Sequence, residues 1–154
     1  MSIPVTISQH IVEALYCEAL VLSDEVRHAF TPPGRHPAPA GNADLARLAR
    51  SSEGLRTTTR MMHAITWLLN HRAYFTGQID DREIRRRGGL SADMYLCEPA
   101  QTALLEPETS RLVEATCRFY ERLLRLDRAW RLSGTAAPRA VERLRERIEE
   151  RLAS

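Results

Sequence analysis

Apolar residues in this chain recur at spacings of three and four and never alternate over a useful length, a pattern that predicts helices throughout. Ile11, Leu15, Ala19, Leu22, Val26 and Phe30 form the first seam. It should open near Thr6, which stands three residues before Gln9 as in a capping box. The seam stops at Thr31-Pro32-Pro33-Gly34, and the proline- and glycine-rich stretch 31–41 is predicted to be a mobile loop. A second helix should start from a cap at Asn42 or Asp44 and run to about Thr76, with Gly77 as its stop. At about 1.5 Å per residue it is a rod of roughly 50 Å. Asp80 to Arg87 predicts a short helix ended by Gly88-Gly89, and residues 91–105 show no clean period. A third helix opens at Pro107-Glu108 and carries Leu112, Thr116, Phe119, Leu123, Leu126 and Trp130 until Ser133-Gly134. After Pro138, Val141, Leu144, Ile148 and Leu152 make a narrow stripe between rows of glutamate and arginine.

The expected fold is therefore all-α: an antiparallel three-helix bundle with a long central helix and an additional short C-terminal helix. Residues 1–134 would form the bundle domain and 135–154 a C-terminal amphipathic helix or tail.

The central helix divides into two unlike arcs at about 100° per residue. Leu55, Met61, Met62, Ile65, Leu68, Leu69 and Phe75 share one, which is expected to face the core. Arg56, Arg60, His63, Trp67, Asn70, His71 and Tyr74 share the other. Arginine and histidine with aromatic rings among them is the composition of binding hot spots. Arg56, Arg60, His63, Trp67, His71 and Tyr74 are thus the candidate partner-binding residues. The competing view is that Trp67 is covered by the C-terminal helix or by the loop at 31–41. Gly54 and Thr57-Thr58-Thr59 predict a bend or a close helix crossing. Val141, Leu144 and Ile148 are candidate docking positions on the terminal helix, against the plainer view that this face is merely solvated.

Composition narrows the function classes. The chain has 154 residues, 27% of them charged and 44% hydrophobic, with a formal charge of +2, so no global field draws it to nucleic acid or anionic lipid. All of its lysine-plus-arginine total is arginine, whose planar fork orients ion pairs well. Cys17, Cys97 and Cys117 are widely spaced, and reduced thiols in a cytoplasmic protein are expected; Cys17 and Cys117 lie near the apolar seams. The N-terminus lacks a signal-peptide pattern, and no run is long enough to span a bilayer. His63 and His71 lie eight residues apart, about 12 Å along a helix, too far to share a metal. His10, His28 and His36 should face water. No phosphate loop, nucleophile–base pair, metal cluster or cofactor motif is present, so a non-enzymatic protein without cofactors is expected. Arg82, Arg85, Arg86 and Arg87 are interleaved with Asp80, Asp81 and Glu83; a nucleic-acid-associated regulator using this cluster is the alternative function.

The stretch LRTTTRMMHAITWLLNHRAYFTGQI closely resembles the signature helix of the RcdA-like proteins, bacterial regulators of CtrA degradation. ALYCEALVLSDEVRHAF resembles that family's opening segment, and RLVEATCRFYERLLRLDRAW its third helix more loosely. The resemblance covers about residues 10–132. It implies a three-helix bundle without catalytic residues, often a homodimer. It also implies an accessory adaptor of the AAA+ protease ClpXP, working with a CpdR-like response regulator and a cyclic-dinucleotide-binding effector. Residues 85–106 and the charged C-terminal helix depart from the family pattern.

Overall fold

The computed structural model describes residues 7–31, 43–95 and 98–153, apart from the side chains at 43, 95, 133–143 and 146. Among the described residues every regular element is helical: α1 (Gln9–Phe30), α2 (Ala43–Phe75), α3 (Asp81–Arg86), a 3-10 turn (Ala92–Tyr95), α4 (Pro99–Thr102) and α5 (Pro107–Leu152). The expected cap at Thr6, most of the 31–41 loop, Asn42, His36 and Cys97 lie outside the described residues.

α1 starts later than the capping-box spacing suggests, because Ser8 is the residue whose Oγ accepts from the Ile11 amide. The seam expected on α1 supplies the core, with Leu15, Ala19 and Val26 buried and Ile11, Leu22 and Phe30 packed at its margin. α2 ends where Gly77 takes a positive φ of 78°, a turn that only glycine adopts cheaply. α3 begins as expected on Asp80, whose carboxylate accepts from the Glu83 amide, and it stops at Gly88, with φ of 80°.

Two findings depart from the expected bundle. The predicted third and fourth helices are one: α5 runs 46 residues without a break at Ser133-Gly134 or Pro138. At about 1.5 Å per residue that is roughly 70 Å. Secondly, α5 runs parallel to α2. Arg60 bonds Thr116 and Trp67 bonds Asp127, so both helices rise together. The reason is the connection 76–106, which brings the chain back down α2: Arg87 bonds Asn70, Met94 bonds Arg60, and Glu98 pairs with Arg56. Only α1 and α2 form the expected antiparallel pair, with Glu13 beside Arg72 and Ala29 beside Arg50.

The core is built from Val12, Leu15, Ala19 and Val26 of α1, Met61, Ala64, Trp67 and Leu68 of α2, and Phe119, Tyr120, Leu123 and Leu124 of α5. Gly54 is where α1 and α2 approach most tightly, since a Cβ there would lie 2.9 Å from the Phe30 ring. This is the close crossing expected near residues 54–59. Cys17 is a free, exposed thiol rather than a small buried side chain, because it lies off the Leu15–Ala19 core row. Cys117 is disulfide-bonded, so three reduced thiols are not what the structure holds.

Candidate interaction surface

The two arcs of α2 are placed opposite to the sequence expectation. Glu53, Thr57, Arg60, Trp67 and His71 are buried, while Leu55 is 73% exposed, Met62 64% and Leu69 45%. Met61 and Leu68 do face the core as expected, and Ile65 and Phe75 lie at its margin. Of the six candidate partner-binding residues, Arg60, Trp67 and His71 are interior, Arg56 and Tyr74 are half-buried, and His63 is exposed.

α5 explains the inversion, because it brings acceptors that α2 must meet with donors. Trp67 Nε1 donates to Asp127 Oδ1 at 3.0 Å, and Arg131 Nε donates to the other carboxylate oxygen at 3.1 Å. His71 lies between Trp67, at a centroid distance of 4.1 Å, and Trp130, at 5.1 Å. Tyr74 sits edge-on to Trp130, and the Arg85 guanidinium lies over that ring, 4.9 Å from its centroid. About two turns below Trp67, Arg60 Nε donates to Met94 O at 2.6 Å and Nη1 to Thr116 Oγ1 at 3.0 Å. The Thr116 hydroxyl in turn donates a hydrogen bond to Val113 O. Burial works against the Arg60 charge, and nearby Glu53 supports it. Neither Glu53 oxygen accepts a hydrogen bond from a protein group, although Arg56 stands 3.5 Å away. These aromatic and ionic side chains thus join α2 to α5 and to the return segment.

Burial also pushes His71 down to about 4, with Asp127 opposing and Arg131 reinforcing the shift. The fold holds the neutral ring, so the unfolded chain binds the extra proton first. Stability from this site is complete above about pH 6.5 and falls as pH drops toward 4, by about 3 kcal/mol. Urea midpoints at pH 7 and pH 4.5 should therefore converge in His71→Phe and diverge in the parent; equal pH dependence in both would refute the assignment.

With the polar arc inside, α2 shows solvent a different face. From Leu45 the positions Leu48, Ser52, Leu55, Thr59, Met62, Thr66, Leu69, Ala73 and Thr76 follow in unbroken alternation of three and four. Leu45 and Leu48 are 58% and 68% exposed, continuing the row of Leu55, Met62 and Leu69. The threonine hydroxyls turn back on their own helix: Thr59 donates to Leu55 O, Thr66 to Met62 O, and Thr76 to Arg72 O. Their methyl groups are what the surface presents. The flanking rows from 49 to 72 contain no acid and only two arginines. Both are already paired, Arg56 with Glu53 and Glu98, and Arg72 with Glu13. Exposed Asp44 and Arg47 stand only at the start of the helix, and depletion of charge over the rest is what marks the core of interfaces.

Beside this seam lies a shallow cleft of about 390 Å³. Met62, His63, Thr66, Trp67 and Asn70 of α2 form one wall, and the turn Arg87–Leu90 forms the other. On the C-terminal part of α5, Leu144, Ile148 and Leu152 are exposed; the side chain of Val141 lies outside the described residues. The Arg82–Arg87 cluster is largely neutralised: Arg85 pairs with Asp81, and Arg86 and Arg87 both pair with Glu83. Hydrogen bonds from Arg86 and Arg87 hold the Glu83 carboxyl below its usual range. Among the described residues no three His, Cys, Asp or Glu side chains gather as a metal site would need, and no helix is long and apolar enough to cross a membrane.

One family model, described as "Protein of unknown function (DUF1465)", matches residues 4–152. The chain belongs to the DUF1465 family. No curated protein and no solved structure matches it. The match covers the C-terminal part of α5 as well as the packed helices, so the DUF1465 pattern includes the charged stripe. The two features that sequence reasoning missed, the exposed seam and the Asp127 acceptor, both fall inside it. The seam did leave a signal, since Leu48, Leu55, Met62 and Leu69 stand seven apart.

Proposed function

We propose that this DUF1465 protein is a non-enzymatic adaptor or scaffold in regulated proteolysis. It helps deliver protein substrates, CtrA-like cell-cycle regulators among them, to the ClpXP protease together with a CpdR-like response regulator in the cytoplasm. The resemblance of α1, α2 and α5 to RcdA-like proteins supports the pathway. The observation that carries an interaction role is the uncharged, solvent-facing seam of α2.

A second copy of this chain is the occupant we assign to that seam. A strict three-four alternation is the pattern two helices need to pack along their whole length, and small residues at Ser52, Thr59, Thr66 and Ala73 allow close approach. The exposed parts of Leu45, Leu48, Leu55, Met62 and Leu69 amount to about three complete large side chains per protomer. At about 1.5–3 kcal/mol each, two copies would gain roughly 9–18 kcal/mol on full burial, against about 4–15 for association. The upper part of that gain exceeds the cost, which favours a dimer. The dimer leaves the Leu144–Leu152 stripe of each α5 for a further protein partner.

The test is a reconstituted degradation reaction with ClpXP, a CpdR-like regulator and cognate substrates. Addition of this protein should accelerate substrate loss. If it binds neither protease, regulator nor substrate, the adaptor role is wrong.

A further inference from the structure

We propose that the cleft between α2 and the Arg87–Leu90 turn binds the free carboxylate end of a polypeptide chain. The last side chain of that polypeptide lies against Met62 and Leu90, and its carboxylate faces Arg87 and Asn70.

The chemistry of the walls selects this ligand class. No acidic residue lines the cleft, whereas Arg87 and His63 both do. The carboxylate nearest its floor, Asp127, already accepts from Trp67 and Arg131. Arg87 is held rather than free: its Nε donates to Glu83, and its Nη1 donates to Asn70 Oδ1 at 2.9 Å. That second bond fixes the Asn70 amide so that its nitrogen is the group left to donate. Glu83 is shared between Arg86 and Arg87, so Arg87 does not have that carboxylate to itself. The turn cannot fill the cleft itself. Gly88 and Gly89 carry no side chain, and a Cβ on Gly89 would collide with the Arg131 guanidinium and Asp127. An apolar wall beside fixed cationic and amide donors matches an aliphatic residue bearing a carboxylate. A volume of about 390 Å³ holds one or two such residues. Met62 and Thr66 belong to both the cleft and the α2 seam, so a second copy on the seam would share that wall, whereas Arg87 to Leu90 lie outside it.

This deepens the adaptor role by naming what part of a client is recognised, and it rests on that role only for the source of the chain end. The experiment titrates the full chain with a capped hexapeptide ending in Ala-Val-Leu, as free acid and as C-terminal amide, while following the amide resonances of Gly88 and Gly89. The free acid should bind with Kd below about 1 mM and the amide at least about tenfold more weakly, the usual worth of a charge-assisted bond. Arg87→Gln and Asn70→Leu, both on the surface, should each weaken the acid about tenfold without altering the amide peptide. Equal binding of acid and amide, no binding at 1 mM, or unchanged affinity in both variants would overturn the proposal. So would inorganic phosphate displacing the acid peptide at equal concentration, because the site would then be one for small anions. No protease enters this measurement, so a failed degradation assay leaves it standing, and the reverse also holds.

Discussion

Replacing Leu48 and Leu55 together by glutamate should abolish self-association while leaving the fold intact. Both side chains are more than two-thirds exposed in the protomer, so the substitution removes no packing within it. In a paired seam each would place a carboxylate in a buried row, without a partner on the facing helix, at a cost of several kcal/mol. Light scattering at tens of micromolar should show a dimer for the parent and a monomer for the double variant, a shift of at least about a hundredfold in Kd. Helical content and thermal midpoint should be unchanged or slightly raised. A parent that is already monomeric at that concentration would remove the second copy from the seam. Neither residue lines the cleft, so the monomeric variant should still bind the peptide.

The largest loss of stability should come from Arg60→Ala. This side chain is fully buried and carries two bonds, one to the return segment at Met94 and one to α5 at Thr116. Its removal also leaves the buried Glu53 carboxylate without its nearby cation, apart from the misaligned Arg56. Breaking one half of a buried pair costs about 3–5 kcal/mol. The informative comparison is Arg60→Met combined with Glu53→Leu, which removes both charges and keeps their volume. Urea unfolding should show the double variant recovering most of the loss. If Arg60→Ala costs under about 1 kcal/mol, the guanidinium is not what ties α2 to its neighbours.

How much of this was legible in the sequence depends on the kind of signal. The α1 and α5 seams were, because each carries a single apolar row: Leu15, Ala19 and Val26 on one, Phe119 and Leu123 on the other, all buried. α2 was legible as a helix but not in its orientation. It carries two apolar rows, and a wheel ranks large aliphatic side chains above Trp67 or a methyl-presenting threonine. Glu53, Thr57 and Arg60 count as polar on any such scale, yet all three are fully buried. Arg60 is met by Thr116 and the Met94 carbonyl, and Trp67 by Asp127, acceptors far along the chain whose positions local periodicity does not encode. The continuity of α5 was hidden for a related reason. Glycine and proline weigh against a helix locally, and Ser133-Gly134 and Pro138 are nonetheless accommodated within one helix. In the candidate site, His63 was rightly placed on the surface, while its cleft depends on the Arg87–Leu90 turn, which lies in the stretch without a clean period.

The parallel rise of α2 and α5 carries a consequence for how the chain reaches its native state. Arg60 and Trp67 find their acceptors 56 and 60 residues downstream. A hairpin of the first two helices alone would leave Trp67 and Leu68 without the cover of Phe119, Tyr120, Leu123 and Leu124, so its core stays incomplete until α5 is in place. Closing a loop that long costs only modestly more entropy than closing a short one. The molecule should therefore complete its core in one cooperative step when α5 arrives, and a nascent chain still lacking α5 would stay open to chaperones until that helix is made.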